Sequence, residues 1–147
     1  MFTSILLPVD GSDVSDKSIA TAIQFARLNQ ARLVAITVIE PMPMAMAPMG
    51  DGSVVLDTAN YTLQMQEAAR SHIDKVGDAA RAAGIVFDGV IATSHVPYEE
   101  IVEAAKKFSC DIIIMAPHGY TGLSKLLLGS QTDKVLSHTA LPVLVLH

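Results

Sequence analysis

The residues of this chain best suited to chemistry sit near its C-terminus. Two glycines, Gly119 and Gly129, enclose the nine residues from Tyr120 to Leu128, and the second leads directly into Ser130-Gln131-Thr132-Asp133. A glycine lets backbone approach a ligand closely, and a helix starting at Gly129 would present unpaired N–H groups beside the Ser130 and Thr132 hydroxyls. Such a set can cradle phosphate oxygens. The same four residues also read as a capping box, in which serine and the acidic residue satisfy the helix end without any ligand. No Gly-x-x-x-x-Gly-Lys occurs, so this is not a Walker loop.

Short apolar runs must position that loop. Ser4 to Asp10, Arg32 to Ile39, Ile85 to Thr93, Asp111 to Met115 and Leu141 to Leu146 read as strands. Between them the apolar period changes to that of helices. Ile19, Ala22, Ile23 and Ala26 form one stripe, capped by Ser12 or Asp13. Met65, Ala69, Ile73, Val76, Ala80 and Ala83 form a second, on a helix running from about Leu56 to Gly84. Ile101, Ala104, Ala105 and Phe108 form a third, opened by Pro97, and a short helix covers Gly129 to His138. The order β-α-β-α-β-α-β-α-β, with continuous apolar central strands, predicts one three-layer α/β sandwich. It has a five-stranded parallel, doubly wound sheet of Rossmann-like or flavodoxin-like order and no domain boundary. Ligands bind such sheets beyond the carboxyl ends of the strands. There Pro8-Val9-Asp10, Thr37-Val38-Ile39 and the loop after Met115 should meet, although Asp10 could equally brace its own turn.

Composition narrows the function classes. The 147 residues are half hydrophobic and 17% charged, with a formal net charge of −5. That balance fits a globular domain and gives nucleic acid no basic face. No apolar run approaches the ~18 residues of a membrane span and no signal-peptide pattern opens the chain, so a cytoplasmic protein is expected. Cys110 has no partner for an internal disulfide and reads as a small core residue. His72 and His138 read as surface residues, and His118 as a contact to sugar or phosphate rather than a general base. The methionine-rich stretch from Pro41 to Ser53 reads as a mobile loop, Lys125 as solvated. A receiver domain is rejected, because the third strand ends in Ile91-Ala92-Thr93 without an aspartate and the last carries no lysine.

The motifs taken together are more specific than any one of them. Ile5-Leu6-Leu7-Pro8-Val9-Asp10-Gly11-Ser12, Val96-Pro97-Tyr98-Glu99-Glu100-Ile101, Asp111-Ile112-Ile113-Ile114-Met115-Ala116-Pro117-His118-Gly119, Gly129-Ser130 and Leu141-Pro142-Val143-Leu144-Val145-Leu146 recur in order along the whole chain. This pattern resembles the universal stress protein family. The ATP-binding branch of that family carries Gly-x-x-Gly, nine residues, then Gly-Ser/Thr; Gly119, Gly129 and Ser130 match, and Ala116 replaces the first glycine. If that position needs positive φ, alanine weakens the pocket; if its backbone is ordinary, one methyl crowds it slightly.

By resemblance, Pro8, Val9 and Asp10 would border adenine and ribose, Val38 would pack on adenine, and Met115 and Ala116 would line the floor. His118 and Gly119 would follow ribose and phosphates, and Gly129, Ser130, Gln131 and Thr132 would hold the phosphate end. The implied ligand is ATP, with ADP, AMP or cyclic AMP as alternatives. Mg²⁺ would be held through phosphate oxygens, with no side-chain ligand. The implied assembly is a homodimer through the last strand, at Val143 and Val145, with a further protein partner unidentified. The positioned base that phosphoryl transfer requires is not visible, so nucleotide sensing is preferred to turnover. A protein-interaction module with a vestigial pocket and a slow ATPase or phosphotransferase remain the alternatives.

Overall fold

Five of the apolar runs become strands and the periodic stretches between them become helices. In the computed structural model, residues 1–42, 53–117 and 129–146 are described. The elements are β1 (Ser4–Pro8), α1 (Asp13–Asn29), β2 (Arg32–Ile39), α2 (Ser53–Ala82), β3 (Phe87–Thr93), α3 (Pro97–Lys107), β4 (Ile112–Met115), α4 (Ser130–His138) and β5 (Val143–Val145). All four pairings are parallel and the order is β3-β2-β1-β4-β5. This is the Rossmann-like order. The flavodoxin-like alternative, which would put β1 between β2 and β3, is not the one adopted.

Alternation along the strands builds two cores. Ile5, Leu7, Leu33, Ala35, Ile112 and Ile114 face α1 and α2, meeting Ile19, Ala22, Ala26, Ile73, Val76 and Ala80. Leu6, Val34, Ile36, Ile113 and Met115 face the other way, against Ile101, Ala104, Ala105 and Val135 of α3 and α4. Strands buried on both faces explain the continuous apolar runs, each fully buried Leu or Ile contributing about 1.5–3 kcal/mol. Gly84 ends α2 with φ +71, and Ile85 N–H reaches back to the Ala80 carbonyl at 2.9 Å, a closing turn that favours glycine.

The amino ends of the strands are cross-braced. Asp111 accepts from Thr3 N–H (2.8 Å), Thr3 Oγ1 (2.9 Å) and Ser4 N–H (3.1 Å). Burial of the Asp111 carboxyl works to raise its pKa, but these donated hydrogen bonds outweigh it and hold the group below the usual carboxylate range. Arg32 Nε donates to Ser4 Oγ at 2.9 Å, and its Nη2 donates to the Phe108 carbonyl. Cys110 is buried there, as expected of a core residue. Burial pushes its thiol pKa up despite the hydrogen bond that Ser4 Oγ donates to Sγ (3.5 Å). Among the described residues, no helix is long and apolar enough to cross a membrane.

Candidate functional site

The braced end leaves the carboxyl end of the sheet free to open. β1 pairs with β4 only at Ile5–Ile112 and Leu6–Ile113, yet stays paired with β2 as far as Pro8–Ile36. β4 likewise follows β5 to Met115–Val145. Beyond Leu6 and Ile113 the two central strands therefore part, at the point where the chain crosses from one half of the sheet to the other. That is where an open α/β sheet places its ligands.

One wall of the gap is the turn after β1. Val9 N–H donates to the Ile36 carbonyl at 2.9 Å, and the buried Thr37 hydroxyl donates to the Val9 carbonyl at 3.0 Å. The sequence placed Thr37 at this edge of the sheet, and the structure gives its hydroxyl the task of tying β2 to the turn after β1. Half-buried Asp10 follows, its Oδ1 accepting from Ser12 N–H at 3.0 Å, so the carboxylate does brace its own turn. Val38 is half-buried and packs with the core layer on the α3 and α4 side.

Gly11 completes this turn with φ +79. A Cβ there would stand 2.2 Å from His72 Nε2, so the ring of α2 is seated against the Gly11 backbone. His72 is therefore not the surface residue expected: it is half-buried, and its Nδ1 is enclosed without a hydrogen-bond partner among the described residues. The signal existed, since His72 stands three residues after Ala69 and four before Val76, on the edge of the buried stripe.

The other wall joins β4 to α4. Met115 is buried and Ala116 half-buried. Positive φ in non-glycine residues occurs, among the described residues, at Gln30 and Ser109, so Ala116 keeps an ordinary backbone that alanine adopts without strain. Gly129 N–H donates to the Pro117 carbonyl at 2.6 Å, and Thr132 Oγ1 to the Ala116 carbonyl at 3.1 Å. The buried Thr132 hydroxyl thus points inward and ties α4 to β4, where the sequence placed it toward a phosphate. The Gln131 side chain is also committed elsewhere, Oε1 accepting from Tyr98 N–H at 3.0 Å.

The N-cap of α4 is Gly129, with φ −61 and ψ 150, and among the described residues no side chain caps the helix. Ser130 is consequently the first helical residue rather than the cap, which corrects the capping-box reading of Ser130 and Asp133. Helix geometry leaves the N–H groups of Ser130, Gln131 and Thr132 without an intrahelical acceptor, at the positive end of the helix dipole. The backbone of Gly129 is open to any residue, so what glycine contributes there is the missing Cβ. His118, Gly119 and Lys125 lie outside the described residues, as does most of the methionine-rich stretch, while Ser53 already belongs to α2. Among the described residues no three His, Cys, Asp or Glu side chains converge as metal ligands.

The chain is similar in sequence and in fold to known proteins. Universal stress protein MJ0531 of Methanocaldococcus jannaschii is 35% identical over 145 residues, spanning 99% of this chain and 82% of the relative. The solved structure of hypothetical protein MJ0577 superposes with a TM-score of 0.84 at 27% identity, covering 99% of this chain and 96% of that one. Two more distant structures share the fold. A universal stress protein in complex with cAMP is 22% identical, with a TM-score of 0.69 over 99% of this chain and 97% of that one. The universal stress protein from Archaeoglobus fulgidus in complex with dAMP is 16% identical, with a TM-score of 0.67 over 99% and 98%. The model of the universal stress protein family matches residues 1–147, and over that whole length the chain belongs to this family.

Proposed function

We propose that this protein is a nucleotide-binding stress-response module. It holds an adenine nucleotide, ATP foremost, between the ends of β1 and β4 and acts as a cytoplasmic homodimer that senses the nucleotide without turning it over. The observation that carries this reading is the start of α4. Its cap is a glycine, its first turn is tied to the Pro117 and Ala116 carbonyls, and it lies where the central strands part. An uncapped helix start with unpaired N–H groups attracts anions. The ordinary backbone of Ala116 removes the main objection to its replacing a glycine. The family members that hold cAMP and dAMP support an adenine nucleotide.

In this reading Pro8, Val9, Asp10 and Val38 border adenine and ribose, with Asp10 Oδ2 as the acceptor because Oδ1 serves Ser12. Met115 and Ala116 form the floor, while Ser130, Gln131 and Thr132 offer backbone N–H groups to the phosphates. The family resemblance adds His118 and Gly119 as contacts to ribose and phosphates. Mg²⁺, a hard cation, would be held through phosphate oxygens with no side-chain ligand. Phosphoryl transfer needs a positioned base and charge stabilisation at the transferring group. The one carboxylate among the described wall residues, Asp10, is already engaged in its own turn, which favours sensing.

The test is mass spectrometry of protein purified without added ligand, followed by calorimetry with ATP, ADP, AMP and cyclic AMP. A bound adenine nucleotide and a preference for ATP support the reading. No bound nucleotide and no measurable affinity would favour the protein-interaction module instead.

A further inference from the structure

The Val96-Pro97-Tyr98 turn plays no part in the cleft, yet α4 is laid against it. Gln131, Lys134 and His138 stand at i, i+3 and i+7 on one face of α4. All three touch Tyr98. Gln131 Oε1 accepts from its N–H at 3.0 Å, Lys134 Nζ lies 5.7 Å from its ring centroid, and the His138 ring centroid lies 4.7 Å from it.

Tyr98 is itself well fixed. Pro97 occupies the first turn of α3, Ser94 Oγ accepts from Val96 N–H at 3.0 Å, and Ile101, Ala104 and Ala105 anchor the helix in the core. Val96, the N-cap of α3, makes no side-chain capping bond, so Gln131 supplies an acceptor to that helix end from another element. Gln131 therefore has two attachments. Its backbone N–H belongs to the uncapped first turn of α4, and its side chain is fastened to α3. Thr132, the next residue, is fastened to β4 through the Ala116 carbonyl. The first turn of α4 is thus held from two sides, and N–H donors serve an anion only when their directions converge, because hydrogen bonds weaken steeply off axis.

We infer that Gln131 is the positioning residue for the phosphate end of the cleft. By capping α3 at the Tyr98 N–H, its side chain sets the direction of the α4 N-terminus, and with it the share of affinity that comes from phosphate rather than from adenosine. This rests on the nucleotide reading above.

Calorimetry with two probes, adenosine and Mg²⁺-ATP, separates the possibilities. Gln131→Met keeps side-chain length and removes the acceptor, Tyr98→Ala removes the ring and keeps the N–H, and Tyr98→Phe keeps the ring. Gln131→Met should lower ATP affinity about fivefold to tenfold and adenosine affinity by less than about twofold, whereas Tyr98→Ala, which keeps the N–H donor, should change both by less than about twofold. Tyr98→Phe should behave as wild type. Equal losses for both probes in Gln131→Met, or a lowered melting temperature with both its affinities intact, would mean simple packing and overturn the proposal. If Gln131→Met does not fold, Gln131→Leu carries the test, since it removes the same acceptor. Wild-type protein that binds neither probe would remove the nucleotide reading and this proposal together. Wild-type binding with an unchanged ATP-to-adenosine ratio in Gln131→Met would remove this proposal alone.

Discussion

Gly11→Ala perturbs the turn that carries Asp10, and the structure lets its cost be divided. The residue has φ +79, where an L side chain costs about 1–2 kcal/mol. The new methyl would also stand 2.2 Å from Nε2 and 2.5 Å from Cε1 of His72, a contact that cannot persist. Those atoms are the far end of a side chain with two rotatable bonds, so the ring swings aside and loses packing of about 1 kcal/mol. The sum is about 2–3 kcal/mol. In a His72→Ala background the steric part has no partner, and Gly11→Ala should cost only the conformational part, about 1–2 kcal/mol. The expected coupling between the two positions is therefore about 1 kcal/mol, read from urea unfolding of the four proteins followed by circular dichroism at one protein concentration. The displaced turn should also weaken ATP binding. Additivity within about 0.3 kcal/mol would refute the seating of His72 on Gly11. A cost below about 0.5 kcal/mol for Gly11→Ala alone would refute the positive-φ argument.

Four other outcomes can be measured. Gly129→Val should lower ATP affinity at least about tenfold, or about 1.4 kcal/mol, with the fold intact by circular dichroism. The backbone there suits valine and only the space is lost, so unchanged calorimetric affinity would remove the cradle. Ala116→Gly should change ATP affinity by less than about threefold, because this backbone does not need positive φ; a large gain would identify a compromised pocket. Asp111 has a depressed pKa in the folded state, so its stabilisation is present above the unfolded value of ~3.9 and is lost as pH falls through the folded value. Asp111→Asn should accordingly lower the urea midpoint at pH 7 and flatten its decline toward pH 3, and an unaltered acid limb would count against the brace. Finally, β5 is a sheet edge whose Val143, Leu144 and Val145 are only half-buried. Pairing of two such edges about a twofold axis predicts a wild-type dimer in sedimentation and a monomer after Val143→Asp with Val145→Asp. A wild-type monomer, or a dimeric double variant, would exclude this interface.

What the sequence determined by itself was local. The apolar runs around Ile5, Val34 and Ile113 specify strands because both of their faces are buried, and the stripes on α1, α2 and α3 specify helices because one face is. Periodicity of this kind is written within a few residues and survives in any packing. Element ends shifted modestly: β1 stops at Pro8 rather than Asp10, β3 begins at Phe87 rather than Ile85, and α2 starts at Ser53 rather than Leu56. Strand ends depend on where the neighbouring strand ceases to offer hydrogen bonds, and a single segment does not contain that information. The family resemblance, carried by motifs from Ile5 to Leu146, agrees with the family match along the chain.

Tertiary structure alone decided what the motif residues do. The parting of β1 and β4 after Leu6 and Ile113 follows from strand order, a pairing of segments roughly a hundred residues apart. Gln131 looked like a phosphate contact until its side chain met Tyr98, 33 positions away, and Thr132 turned inward because the Ala116 carbonyl lay beside it. Ser130 and Asp133 had the composition of a capping box, but the helix began at Ser130, with Gly129 in the capping position. Each side chain takes the partner that its surroundings bring within hydrogen-bonding reach, and those surroundings are assembled from distant parts of the chain. That is why the strands that border the gap were legible in the sequence while the partners of their side chains were not.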